Sequence, residues 1–197
     1  MTAGRLLRAR DRAATPWRNG GGVTREIAAG PADAGLDDFV WRVSLADVAA
    51  GGPFSAFPGV DRVITVVDGP GMQLTVDGAP HLVDARFAPF RFPGDAVTDC
   101  RLLGGPLVDF NVMTRRTAAT AEVRMVRGPF EAAPPAGAVA LVVVLNGTAV
   151  DTGSGRTLER FDAVLYEAGE TGAHRVDGVA AVVTVTETST ETETARD

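Results

Sequence analysis

Apolar and polar residues alternate in short runs along most of the chain, and the runs stop at glycine, proline, asparagine or aspartate. A side-chain period of two belongs to a β-strand with one buried face. The runs predict strands at Val23–Ala28, Phe39–Leu45, Arg62–Val67, Met72–Val76, Val108–Met113, Val139–Leu145, Ala163–Tyr166 and Ala180–Thr186. Only Ala46–Ala50 and Ala118–Glu122 read as helical, and both are too short to change the class. Between Ala118 and Pro135 the strand pattern lapses and Pro134-Pro135 intervenes, which places a division of the chain there. Beyond Thr186 the repetitive ETSTETETARD has no apolar face to bury and reads as a frayed acidic tail.

The two sides of that division share a rhythm. VITVVDG (63–69) and LVVVLNG (141–147) are β-branched strands ending in Asp-Gly or Asn-Gly, a strong hairpin signal because those residues reach positive φ easily. After similar gaps follow PFRFPGD (89–95) and RFDAVLYEAGE (160–170), whose apolar strands end in a glycine and a carboxylate, Gly94-Asp95 and Gly169-Glu170. The pattern fits two copies of one β unit, residues 1–117 and 118–186, with 187–197 as the tail; the alternative is that strand-turn-strand sequences simply look alike.

Composition narrows the function classes. The 197 residues are 45% hydrophobic and 22% charged, an ordinary soluble balance, and 23 Gly with 12 Pro cut the chain into short elements. The net charge is −6 and no run of arginines interleaves with aromatics, so nucleic acid is not an expected partner. No apolar stretch near the N-terminus matches a signal sequence or membrane span, and the single Cys100 has no partner for a disulfide; a cytoplasmic protein without a membrane role is expected. Cys100, with no histidine near it in sequence, reads as a small buried hydrophobe.

Five blocks carry a resemblance: PWRNGGGVTREIA (16–28), FVWRVSLADV (39–48), GGPFSAFPGVDR (51–62), FPGD (92–95) and GGPLVDFNVMTRR (104–116). In this order they resemble the signature of the HutD/Ves family; the second half resembles only a generic cupin repeat. One departure is Arg18, where the family usually has lysine. The resemblance implies an all-β, cupin-like (double-stranded β-helix) barrel with two cupin repeats in one compact unit. It also implies an association with histidine utilisation, where a regulatory or ligand-sensing role is suspected, and with stress response. It brings no catalytic residues.

Asn19-Gly20-Gly21-Gly22 lacks the Lys-Ser/Thr and the following helix of a phosphate loop; three glycines that let the backbone bend or approach a neighbour fit better. Trp17 can form an aromatic wall over that bend. Alternation puts Arg42 and Ser44 on one face of their strand, opposite Trp41 and Val43, and Asp109, Asn111, Met113 and Arg115 on one face of theirs. Such polar rows are ordinarily solvated. Because both lie in the family blocks and a cupin barrel holds its ligand inside, an inward reading competes: Arg42, Arg62 and Arg115 would offer forked donors to a carboxylate, oriented by Asp109 and Asn111, with Trp17, Asn19 and Ser44 as neighbours. Arginine paired to aspartate for structure alone is the alternative.

Metal-dependent cupins carry a His-x-His pair, a following Glu and a later His, whereas this chain has two histidines, His81 and His174, and no His-x-His. Neither a metal nor another cofactor is expected. The function expected is a metal-free binding module for a small anionic metabolite, in a regulatory or sensing role that the resemblance links to histidine utilisation. The alternative is a metal-independent epimerase or isomerase, for which no acid–base pair is evident in the sequence. Homodimerisation is left open.

Overall fold

The computed structural model describes residues 4–188. Apart from a single 3-10 turn at Ala9–Asp11, its regular elements are all strands. In chain order the first are β1 (Arg5–Leu7), β2 (Thr15–Pro16), β3 (Gly22–Gly30), β4 (Trp41–Val48), β5 (Gly52–Pro53), β6 (Val60–Asp68), β7 (Met72–Val76) and β8 (Ala79–Val83). They continue with β9 (Phe90–Pro93), β10 (Thr98–Leu102), β11 (Leu107–Arg115), β12 (Ala119–Ala132), β13 (Ala138–Asp151), β14 (Thr157–Leu158), β15 (Ala163–Tyr166) and β16 (Gly172–Glu187). The all-β class read from the two-residue period is the class observed.

The N-terminal half faces a six-stranded sheet, order β2-β3-β4-β11-β6-β9, against a four-stranded one, order β5-β10-β7-β8. Their inner faces meet through Ala46, Ile64, Val66 and Leu107 on one side and Met72, Leu74, Val83 and Cys100 on the other. The outer face of the six-stranded sheet is apolar as well. There Trp41, Val43, Leu45, Val63 and Phe110 pack on Leu141, Val143, Leu145, Ala181 and Val183 of the second half. A sheet buried on both faces needs apolar side chains at nearly every position, which is why β6 reads as the almost unbroken VDRVITVVD. Each fully buried Val, Leu or Phe in this joint contributes roughly 1.5–3 kcal/mol, so the halves form one unit.

The second half is a single sheet, order β1-β15-β13-β16-β12, with β14 added to β13. Its long strands bend at bulges between Val144 and Asn146 and between Val126 and Gly128. Residues on both sides of the bends, Ala140, Val142 and Val144 together with Ala149, Val176 and Tyr166, share one core, so the sheet curls over its own inner face. At the bend Gly147 has φ +74°, and a Cβ there would run into the Asp177 carbonyl. The chain crosses between the halves in the turn at 116–118, while β1 crosses back and pairs with β15.

Three local expectations are corrected. Ala46–Val48 continues β4 instead of forming a helical turn, because it pairs with Leu107–Asp109 of β11. Ala118–Glu122 is not helical either: β12 begins at Ala119 and runs for 14 residues through the stretch where the strand pattern lapsed. Pro134-Pro135 lies in the turn between β12 and β13, inside the second half. In both cases cross-strand pairing outweighs alanine's helical preference. Gly20, φ +70°, makes a turn that leads into β3 rather than a helix, and a Cβ at Gly22 would strike the Asp47 carbonyl, so these glycines serve the bend and the close approach of strands. Of the tail, Glu187 ends β16 and residues 189–197 lie outside the described residues.

Candidate functional site

Register decides which polar side chains meet. On β11, Asn111 stands opposite Ser44 of β4 and Ile64 of β6, and Met113 opposite Arg42 and Arg62. Asp109 stands opposite Ala46 and Val66. Residues directly opposite in a sheet share a face, and Ala46, Ile64 and Val66 belong to the inner core of the first half. Arg42, Ser44, Arg62, Asp109 and Asn111 therefore all face the interior between the two N-terminal sheets, the inward alternative of the two readings.

Within this interior Arg62 is 8% exposed and is walled by aromatic rings: its guanidinium carbon lies 5.2 Å from the centre of Phe54, 5.6 Å from Phe57 and 5.0 Å from Phe92. Ring faces attract a cation, yet none accepts a conventional hydrogen bond, and Nε of Arg62 is buried without a partner. Burial pulls the guanidinium down to about 10; Asp109 opposes that shift and Arg42 adds to it. Asp109 is 3% exposed and makes no side-chain hydrogen bond among the described residues. Burial pushes its carboxyl up to about 7, against the pull of Arg62 and with a contribution from Asp47. The Oδ1 of Asn111 is likewise buried and unpartnered. Arg42 is held by Glu26 of β3 through Nε to Oε2 at 2.6 Å. Arg62 also lines an open concavity of about 550 Å3 with Arg91, Phe92, Asp95 and Arg116, in which Arg116 is fixed by Asp61 and Asp95.

The remaining sequence candidates are engaged in other contacts, although Trp17 still packs against the inner core of this half. Arg115 shares the face of Asp109 but donates from Nε to the Phe39 carbonyl (3.1 Å) and from Nη2 to the Asp37 carbonyl (2.9 Å), with its guanidinium over the Phe39 ring. It clamps the loop before β4. Trp17 and Asn19 lie beside Gly22, which pairs with Val48 at the end of β4 opposite Arg42. The indole of Trp17 donates to Thr24 Oγ1 at 2.8 Å, and Asn19 Oδ1 accepts from the Gly21 amide at 3.0 Å, closing a local turn. Glu26 and the three phenylalanines are the participants that sequence reasoning did not single out. Phe54, Phe57 and Phe92 sit in the blocks GGPFSAFPGVDR and FPGD, where their recurrence beside Arg62 was the available signal.

The second half carries a different polar group. His174, 1% exposed, shares a hydrogen bond between Nε2 and the Tyr166 hydroxyl at 2.8 Å, stacks on Phe130 at 5.2 Å, and has no partner for Nδ1. Asp151 is its register partner on β13. Burial holds the imidazole below its ordinary pKa, and Asp151 opposes the shift. His81 lies on β8, distant in sequence and paired opposite Leu74, with its ring 5.0 Å from Phe90. Among the described residues no three His, Cys, Asp or Glu converge as a metal would require.

A family model described as HutD matches residues 9–184. An uncharacterized 21.2 kDa protein in the hutC 3′ region of Pseudomonas putida is 47% identical over 113 residues, 57% of this chain and 59% of that one. Protein Ves of Citrobacter koseri is 42% identical over 129 residues, 64% of this chain and 66% of its own. The chain thus aligns with less than two thirds of either curated relative. The structure of HutD from Pseudomonas fluorescens SBW25 (formate condition) superposes with a TM-score of 0.83 at 35% identity over 95% of this chain and 100% of that one. A cupin 2 conserved barrel domain protein from Leptotrichia buccalis, at 12% identity and a TM-score of 0.58 over 95% of this chain and 98% of that one, shares the fold alone. With two facing sheets in one half and a curled sheet in the other, a cupin architecture and a family match over nearly the whole described chain, this protein belongs to the HutD/Ves family.

Proposed function

We propose that the interior of the N-terminal half binds a small carboxylate metabolite of histidine breakdown, and that the protein senses or regulates rather than transforms it. The observation that carries this reading is Arg62, a buried cation whose Nε has no partner and whose walls are phenylalanine rings. A buried charge without a hydrogen-bonded counter-ion is costly unless a partner arrives. A carboxylate supplies one, with the forked geometry a guanidinium favours. The open acceptor Asn111 Oδ1 suits an N–H or O–H donor elsewhere on the ligand. The link to histidine utilisation comes from the family and from the hutC-region relative.

The test is a titration of the protein with sodium formate and with the carboxylate intermediates of histidine breakdown, followed by isothermal calorimetry. Arg62→Gln should weaken binding about ten- to hundredfold, the equivalent of a lost charge-assisted contact. Arg42→Ala should weaken it with the fold intact, by less than Arg62→Gln, because Glu26 already balances Arg42. Binding undiminished in Arg62→Gln would refute the assignment.

The enzymatic alternative rests on Asp109, a carboxyl held near neutral pKa beside a cation, as a general base requires. The Cys100 thiol of the facing sheet is pushed up to about 11 by burial and by Asp109, which makes it a poor acid–base partner. Conversion of any bound carboxylate, followed by NMR, would favour the alternative.

A further inference from the structure

The longest open strand edge among the described residues belongs to β12. This strand closes one end of the second-half sheet and pairs with β16 alone over 14 residues, whereas the end strands β1, β2, β5, β8 and β9 are only 2 to 5 residues long. Just before β12 the Thr188 amide donates to the Ala118 carbonyl at 2.8 Å. Alternation from that point turns the backbone groups of Thr120, Glu122 and Arg124 toward β16 and those of Ala119, Ala121, Val123 and Met125 toward the free side. Among the described residues the one partner found there is the exposed Arg91, whose two terminal nitrogens each lie 3.3 Å from the Ala121 carbonyl. An unpaired edge of this length is a template for another strand. The open stretch ends at the bulge between Val126 and Gly128, beyond which Pro129 has no N–H to offer.

The side chains of this stretch are complementary to a copy of themselves. In an antiparallel pair centred on Val123, Ala121 stands opposite Met125 of the second copy and Val123 opposite its own counterpart, all in hydrogen-bonded pairs. The apolar row that lies half-buried against the joint between the halves then continues across the dyad. On the exposed face Glu122 stands opposite Arg124 of the second copy, twice over by symmetry. Within their own chain the cross-strand neighbours of these two charges are Thr184 and Val182, both uncharged. Moving the centre to Glu122 or Arg124 sets a charge against its own copy, and moving it to Ala121 or Met125 leaves Glu122 across from Thr120 or Arg124 across from Val126. We propose that the 119–125 edge of β12 is a homodimer interface, paired antiparallel with a second copy of this chain in the Val123-centred register. The pairing joins the two second-half sheets into one, and Arg91 leaves the Ala121 carbonyl as the copy docks.

The test is analytical ultracentrifugation of the full-length protein over a range of concentrations, where the dimer has twice the 20.4 kDa mass of the chain. Glu122→Arg and Arg124→Glu should each raise the dimer dissociation constant about tenfold or more, because both cross-copy pairs become like-charged. Mixed in equal amounts, the two variants should form a heterodimer about as tight as the wild-type dimer, since each supplies the charge opposite to the other's. Val123→Pro, which removes an N–H that the single chain leaves unpaired, should abolish the dimer. A wild type that stays monomeric up to about 1 mM, or a dimer indifferent to both charge reversals, would overturn the proposal. Charge variants that each weaken the dimer but fail to associate when mixed would overturn it as well, because the register would then be a different one.

Discussion

Replacing Tyr166 with phenylalanine removes a single oxygen atom and leaves the apolar packing of the second core in place. That oxygen is the hydrogen-bond partner of His174 Nε2, and Nδ1 already has none. The ring is 1% exposed and stacked on Phe130, so water cannot replace the lost hydroxyl without the site opening. In Tyr166→Phe the imidazole is buried with both nitrogens unpartnered. Leaving a buried polar group unsatisfied costs about 1–3 kcal/mol. For a domain of this size that corresponds to a fall in melting temperature of about 3–9 °C. Replacing both partners, Tyr166→Phe with His174→Phe, removes the orphaned group as well, so the double variant should be more stable than Tyr166→Phe alone despite carrying more changes. The assay is thermal unfolding followed by circular dichroism at pH 7.5, where the unfolded histidine is neutral. A melting temperature for Tyr166→Phe within about 1 °C of wild type, or strictly additive losses in the double variant, would refute the reasoning.

Other outcomes follow from the same contacts. Wild-type stability should fall as pH drops below about 6.5, because His174 has a depressed pKa in the fold and protonates more readily once unfolded; circular dichroism melts from pH 7.5 to 5 would show it as a loss absent from His174→Phe. Asp109 works in the opposite direction: its raised pKa gives a contribution that is full below about pH 4 and lost as pH rises through about 7. Asp109→Asn should therefore gain stability relative to wild type between pH 5 and 8, on the order of 4 kcal/mol at most, read from urea unfolding midpoints. Arg115→Ala should release the segment before β4, costing about 1–3 kcal/mol and raising amide exchange around Asp37–Val40, while formate affinity is unchanged.

What the sequence made legible is what a period of two can carry. Arg42 with Ser44 and Asp109 with Asn111 fall on single faces because strands alternate, and pairing between neighbouring strands keeps them together across β4, β11 and β6. A face does not determine what a long side chain touches at its strand's end. Arg115 has the right parity, but the chain from 31 to 40 folds back to meet it with two carbonyls. Trp17 and Asn19 belong to the same family block as Glu26, yet β3 carries them to the far end of the sheet, a distance that block order does not encode. β12 was hidden because Ala119 and Ala121 occupy its packed face, and small side chains blur the apolar period that Val123 and Met125 complete. The Tyr166–His174 contact needs the turn between β15 and β16 to close, and no spacing rule links a hydroxyl and an imidazole eight residues apart across such a turn.

The placement of β1 sets the order in which the molecule is completed during synthesis. Residues 5–7 emerge from the ribosome long before β15, the strand they pair with, and the ion pair of Arg8 reaches Asp162, 154 residues further on. β1 thus waits through the making of the whole first half, and the sheet of the second half cannot gain this edge strand until β15 has been made. Closing so long a loop is slow relative to hairpin formation. During that interval β15 is an uncovered strand edge, open to pairing with the β1 of another nascent chain. A high local concentration of chains, as on a polysome, would convert that delay into exchange of the N-terminal strand between molecules.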